Sequence, residues 1–98
     1  MASKRNLKKG IKEITTYLVD DILLLYNILG EDSFSEIESL LCRTVALSVE
    51  TVTKVSHAIG TKNSTSVKEY YKNLQEKFND EVEEIEESIE KLLEKNIN

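Results

Sequence analysis

The sequence predicts an all-α fold, three long helices in an up-down-up antiparallel bundle that dimerises, and three observations carry that reading. The 98 residues include no proline and three glycines, so little in the chain interrupts a helix. Apolar residues return at steps of three and four over long stretches, the spacing that lays a stripe along one helical face. Glycines, or serines followed three residues later by glutamate, stand where those stretches end or begin. So short a chain supports one core, and 1–98 is read as a single helical-bundle domain.

The first helix is expected over about 4–29. Its stripe runs Leu7, Ile11, Ile14, Leu18, Ile22, Leu25 and Leu29, and Gly30 closes it in the left-handed conformation open to glycine. The second is expected over about 35–59, started by Ser33 with Glu36 or Ser35 with Glu38. Its apolar stripe is Phe34, Ile37, Leu41, Val45, Val52, Val55 and Ile59, ended by Gly60. Its middle, TVALSVETVTKV, is β-branched and alternating, so a strand competes there; helix is retained because no turn signal interrupts it and no partner strand exists. A polar linker, GTKNSTS, leads to the third helix, expected over about 66–95 and capped by Ser66 with Glu69. Val67, Tyr71, Leu74, Phe78, Val82, Ile85, Ile89 and Leu92 form its stripe. Residues eleven apart repeat the pattern, closer to a straight helix than to a left-handed coiled coil. Short linkers make neighbouring helices antiparallel, with each rod about 40 Å long.

The stretch YLVDDILLLYNIL carries more apolar surface than two neighbouring helices cover. Tyr17, Leu24 and Ile28 widen the stripe of the first helix on one side, and Val19, Leu23 and Tyr26 widen it on the other. In antiparallel register Leu40 and Leu47 of the second helix fall off its stripe near Ile28, Leu24 and Tyr17. These five residues are the expected oligomer interface, because a contiguous apolar patch on a small protein marks a partner surface and twofold dimers are the commonest oligomers. Another protein partner is the alternative to self-association. Asp20 falls on the polar side. Asp21 falls inside the widened apolar arc and is expected to be a buried polar group facing Thr44, fixing helix register.

The net charge of -5 argues against a generic nucleic-acid binder, which carries a basic excess. The charges are nevertheless segregated. Lys4, Arg5, Lys8, Lys9 and Lys12 open the chain, and Lys62, Lys68 and Lys72 stand near the start of the third helix, so one pole of the bundle is expected to be basic. Glu31, Asp32 and the glutamate-rich end EVEEIEESIEKLLE make the other pole acidic, against the helix macrodipole. Such poles orient an antiparallel dimer, or let the basic pole touch nucleic acid or another acidic partner, although aromatic residues for base stacking are missing near residues 4–12.

The candidates for chemistry are sparse. His57 shares a helical face with Arg43 and Glu50 at seven-residue spacing, but no nucleophile accompanies it, and a solvated surface is the simpler reading. One histidine and one cysteine do not supply a di-iron or zinc ligand set, so no metal and no cofactor are expected. Cys42 reads as a small buried hydrophobe. With a single cysteine, nothing resembling a secretion signal and no apolar run near the 20 or so residues that span a bilayer, a cytoplasmic protein without a membrane span is expected.

The run VSHAIGTKNSTSVKEYYKNLQEKFNDEVEEIEESIEKL, with Val55, Ser56 and His57 before a polar loop, then Tyr70, Tyr71, Leu74, Phe78 and Asn79 ahead of Val82, Ile85 and Ile89, is similar to the C-terminal part of a family of short, uncharacterised helical proteins from Bacteroidetes-type bacteria. The resemblance covers a little over a third of the chain. It implies a small helical protein and carries over no activity, cofactor or site residue. The expectation is therefore a non-enzymatic, self-associating helical interaction or structural module, with an adaptor for acidic partners through the basic pole as the alternative.

Overall fold

The computed structural model describes residues 4–57 and 64–97. Among them are three α-helices and no strand: α1 (Lys4–Leu29), α2 (Phe34–His57) and α3 (Ser64–Ile97), with a 3-10 turn over Glu31–Ser33 between the first two. The β-branched middle of α2 is helical throughout. Thr44, Thr51 and Val55 of that stretch are buried against the other helices, and that burial outweighs the modest preference of such residues for strands. The helix α3 begins two residues ahead of Ser66; the expected ends at Ile59 and Gly60, and the side chains of the Ser66 cap and of Val67, lie outside the described residues.

Gly30 makes the corner between α1 and α2. Its amide donates to the Tyr26 carbonyl at 2.8 Å, and its own carbonyl accepts from the Ser33 amide at 3.4 Å. The backbone there has φ 75° and ψ -162°. This is the extended region at positive φ, occupied almost only by glycine, rather than the left-handed helical region expected.

The helices form an elongated body of 53 × 20 × 17 Å in which each touches the other two. Two apolar clusters lie along it. The larger joins Leu18, Ile22 and Leu25 of α1 to Ile37 and Leu40 of α2 and Ile85 and Leu92 of α3. The smaller joins Ile11, Val55, Leu74 and Phe78. Leu47 and Val82 pack against both. Between the clusters sit the buried hydroxyls of Thr15 and Thr44, with Thr51 also buried. The Thr44 hydroxyl donates to the Leu40 carbonyl at 2.8 Å, and that of Thr15 lies 3.0 Å from the Ile11 carbonyl and 3.2 Å from the Ser48 hydroxyl. A threonine bonded back to its own helix enters a core at little cost, since its donor is satisfied locally.

That layer rotates the buried face of α2 away from the expected stripe. The face is Ile37, Leu40, Thr44, Thr51 and Val55, whereas Phe34 and Val45 of the expected stripe are exposed and Leu41 and Val52 half-buried. The stripes of α1 and α3 fall as expected in their main lines: Ile11, Leu18, Ile22 and Leu25, and Leu74, Phe78, Ile85 and Leu92, are buried. Ile14 is the departure in α1, at 39% exposed.

Candidate interaction surface

The surplus on α1 is uncovered. Tyr17, Leu24 and Ile28 are 70%, 58% and 56% exposed. Leu40 is not beside them; it is buried in the larger cluster and borders a hollow shared with Ser88 and Leu92 of α3. Leu47 is half-buried and borders Leu74, Phe78 and Glu81, again toward α3. The expected five-residue patch is thus corrected to three residues of α1, because the side of α2 that bears Leu40 and Leu47 is the side α3 covers.

The exposed apolar residues of α2 are others: Phe34, Val45 and Val49. Val45 and Val49 line a shallow hollow with Ser48 and Thr44 of α2 and with Thr15, Thr16 and Val19 of α1. Phe34 sets its ring edge-on to Tyr26, centroids 6.0 Å apart. On α1, Leu23 stands one turn from Val19 and one from Tyr26, and is itself 47% exposed. The apolar flank of α1 that adjoins α2 therefore continues onto α2, while the Tyr17 flank does not. On the Tyr17 side, α1 and α3 enclose a hollow of about 290 Å³ floored by Leu7, Ile11 and Phe78 and rimmed by Gln75 and Asn79. Gly10 lines it, and a Cβ on Gly10 would meet nothing within 4 Å.

Asp21 is exposed, which corrects the expectation of a buried carboxylate. Thr44 is fully buried, but the Leu40 carbonyl answers its hydroxyl. Water solvates Asp21 at no cost, whereas burial beside Thr44 would leave a charge without a cation. Cys42 is exposed as well, carried outward by the same rotation of α2.

Arg43 turns to α3, reaching Glu81 at 3.1 Å and Glu84 at 3.6 Å. Its guanidinium is thereby committed to an interhelical pair, while Glu50 is exposed and the His57 side chain lies outside the described residues. Tyr70 and Tyr71 tie the start of α3 to the end of α2, their hydroxyls donating to the carbonyls of Lys54 and Val55 at 3.0 and 3.4 Å.

Of the basic residues, Arg5, Lys8, Lys9 and Lys12 gather round one open hollow on α1, together with Glu13, Thr16 and Tyr17. The fold thus brings an aromatic ring to the edge of the basic group, which a linear reading of residues 4–12 misses. Lys68 and Lys72 are exposed on α3; Lys62 and the side chain of Lys4 lie outside the described residues. Among the described residues no group of three or more His, Cys, Asp and Glu is placed to hold a metal ion, and no helix is long and apolar enough to cross a membrane. Set beside protein-family models, curated proteins and solved structures, the chain matches none of them.

Proposed function

We propose that the chain is a non-enzymatic helical module that self-associates, its three rods running up-down-up and its uncovered apolar side chains supplying the contact. One observation carries the reading: α1 keeps large apolar side chains on both flanks, from Ile14 at 39% to Tyr17 at 70% exposed, after two helices have packed against it. Apolar surface left in water costs about 25 cal/mol per Å² relative to being covered. The rod arrangement draws support from two pairs: Thr15, just before the middle of α1, with Ser48, just after the middle of α2, and Val55, late in α2, with Tyr71, early in α3.

Solution mass tests the reading. Sedimentation equilibrium of the full chain across protein concentration, at low and high salt, should give a mass that rises from one copy toward two, more weakly at high salt where opposed poles are screened. A single-copy mass throughout would refute it.

A second reading is favoured by the hollow on α1, where Arg5, Lys8, Lys9 and Lys12 surround an open space edged by Tyr17. An adaptor of this kind would hold nucleic acid or another acidic partner by charge, with a ring available for stacking. Retention on single-stranded nucleic acid that falls steeply with salt, and falls again in Lys8→Ala with Lys12→Ala, would support it.

A further inference from the structure

Two apolar strips compete to be the contact, and they differ in what accompanies them. The strip of Ile14, Tyr17, Leu24 and Ile28 belongs to one helix. Exposed Asp21 stands in its middle, none of its other members is cationic, and the α3 residues that rim the neighbouring hollow are Gln75 and Asn79. Covering it would take the Asp21 charge out of water without a partner, a large cost. The other strip is shared by two helices. Val19 and Leu23 of α1 run beside Val45 and Val49 of α2, with half-buried Tyr26, Leu41 and Val52 along the same line.

The charges on that second face are arranged antisymmetrically. Val19 and Val45 border one hollow. Seven residues before Val19 is Lys12, and seven residues before Val45 is Glu38, both exposed. Seven residues are two helical turns, about 10 Å. Because α2 starts at the corner where α1 ends, the two steps lead to opposite ends of the face. Beyond Lys12 the basic sign continues in Lys9, Lys8 and Arg5, and beyond Glu38 the acidic sign continues in Glu31 and Asp32.

We infer that a second copy of this chain covers the α1–α2 face, turned end for end about a twofold axis that lies in the contact plane and crosses both helices at the level of Val19 and Val45. The rotation brings Lys12 of each copy to the end of the face that holds Glu38 of the other, and Lys9 and Arg5 toward the acidic corner at Glu31 and Asp32. It stacks Val19 and Val45 of each copy near their own counterparts and carries Val49 of each toward Leu41 of the other, apolar against apolar, with Leu23 beside the contact. The face has room for this, since one side of a body 53 Å long and 20 Å wide exceeds the roughly 800 Å² per partner that stable complexes bury. A twofold axis needs one surface complementary to itself, and a patch positive at one end, apolar in the middle and negative at the other meets that requirement. This assignment rests on the self-association proposed above and names the face and the orientation.

Charge reversal and steric disruption test it in the full chain, read by sedimentation equilibrium at low salt, with circular dichroism reporting helicity. Val49→Glu and Leu23→Glu, both at exposed positions, should keep wild-type helicity and raise the dimer dissociation constant about tenfold or more. Leu24→Glu, on the other strip, should leave it unchanged. Lys12→Glu and Glu38→Lys should each weaken the dimer about threefold or more, and the combined K12E/E38K chain should regain wild-type affinity to within about twofold. Association lost in Leu24→Glu but kept in Val49→Glu would overturn the assignment of the face while leaving self-association in place. A double swap no tighter than either single change would overturn the end-for-end orientation. Wild-type chain that stays a single copy at every concentration would remove both the assignment and the reading on which it rests.

Discussion

Gly10 and Gly30 show how one residue type has opposite value at two positions. Gly10 lies inside α1, where glycine gives up about 1 kcal/mol relative to alanine, and a Cβ there would meet nothing within 4 Å. Gly10→Ala should raise stability by about 0.5–1 kcal/mol. Space is also open round Gly30, but its φ of 75° is closed to an L side chain, so Gly30→Ala should lower stability by about 1–3 kcal/mol. Urea unfolding followed by circular dichroism checks both, and the opposite signs are the decisive feature. Thr44 and Asp21 make a related pair. A threonine is hidden because its own helix answers its hydroxyl, and an aspartate is left in water because nothing nearby would.

At the scale of the element, the ion pair between α2 and α3 is visible but weak. The Arg43 and Glu81 side chains are 38% and 33% exposed. Solvent screens such a pair, and Arg43→Met should cost at most about 1 kcal/mol, shrinking further as salt is added; a loss of several kcal/mol in urea unfolding would mean the guanidinium does more than pair. Helix existence, and the buried faces of α1 and α3 apart from Thr15, were legible in the sequence because their other core positions are filled by Leu, Ile and Phe at helical spacing. The face of α2 was not, since two of its central core positions are threonines, and a reading by hydropathy alone passes over Thr44 and Thr51 and selects Val45 and Leu41 instead. That displacement of roughly a sixth of a turn is why Leu40 was expected outside and Cys42 inside. The excess of apolar residues on α1 was legible as an amount. Which flank continues onto a second helix was not, because that depends on how α2 is rotated.

In the whole molecule, the threonine layer divides the interior into two apolar clusters joined by Leu47 and Val82. The layer is narrow because its side chains are small, and it leaves the shallow hollow between α1 and α2 on the outside. Thr44→Val keeps the shape and removes the hydroxyl, while the Leu40 carbonyl keeps its bond from the helix backbone. Stability should stay within about 1 kcal/mol of wild type; a larger loss would show that the hydroxyl specifies the packing rather than being accommodated by it. The charge distribution also belongs to this scale. A basic start, an acidic corner and an acidic last helix give the body a lengthwise polarity that no single residue displays.

The corner at Gly30 has one more consequence, and it concerns handedness. Reversing the signs of its angles gives about -75° and about 162°, the polyproline II basin that ordinary L-residues prefer. For an amino acid of opposite chirality the native angles are therefore a natural resting place. A chain made by chemical synthesis with D-alanine at position 30, joined at Leu41–Cys42 by thiol ligation, should melt above the glycine parent, because the mirror-image residue surrenders less backbone freedom on folding. The L-alanine counterpart should melt below it.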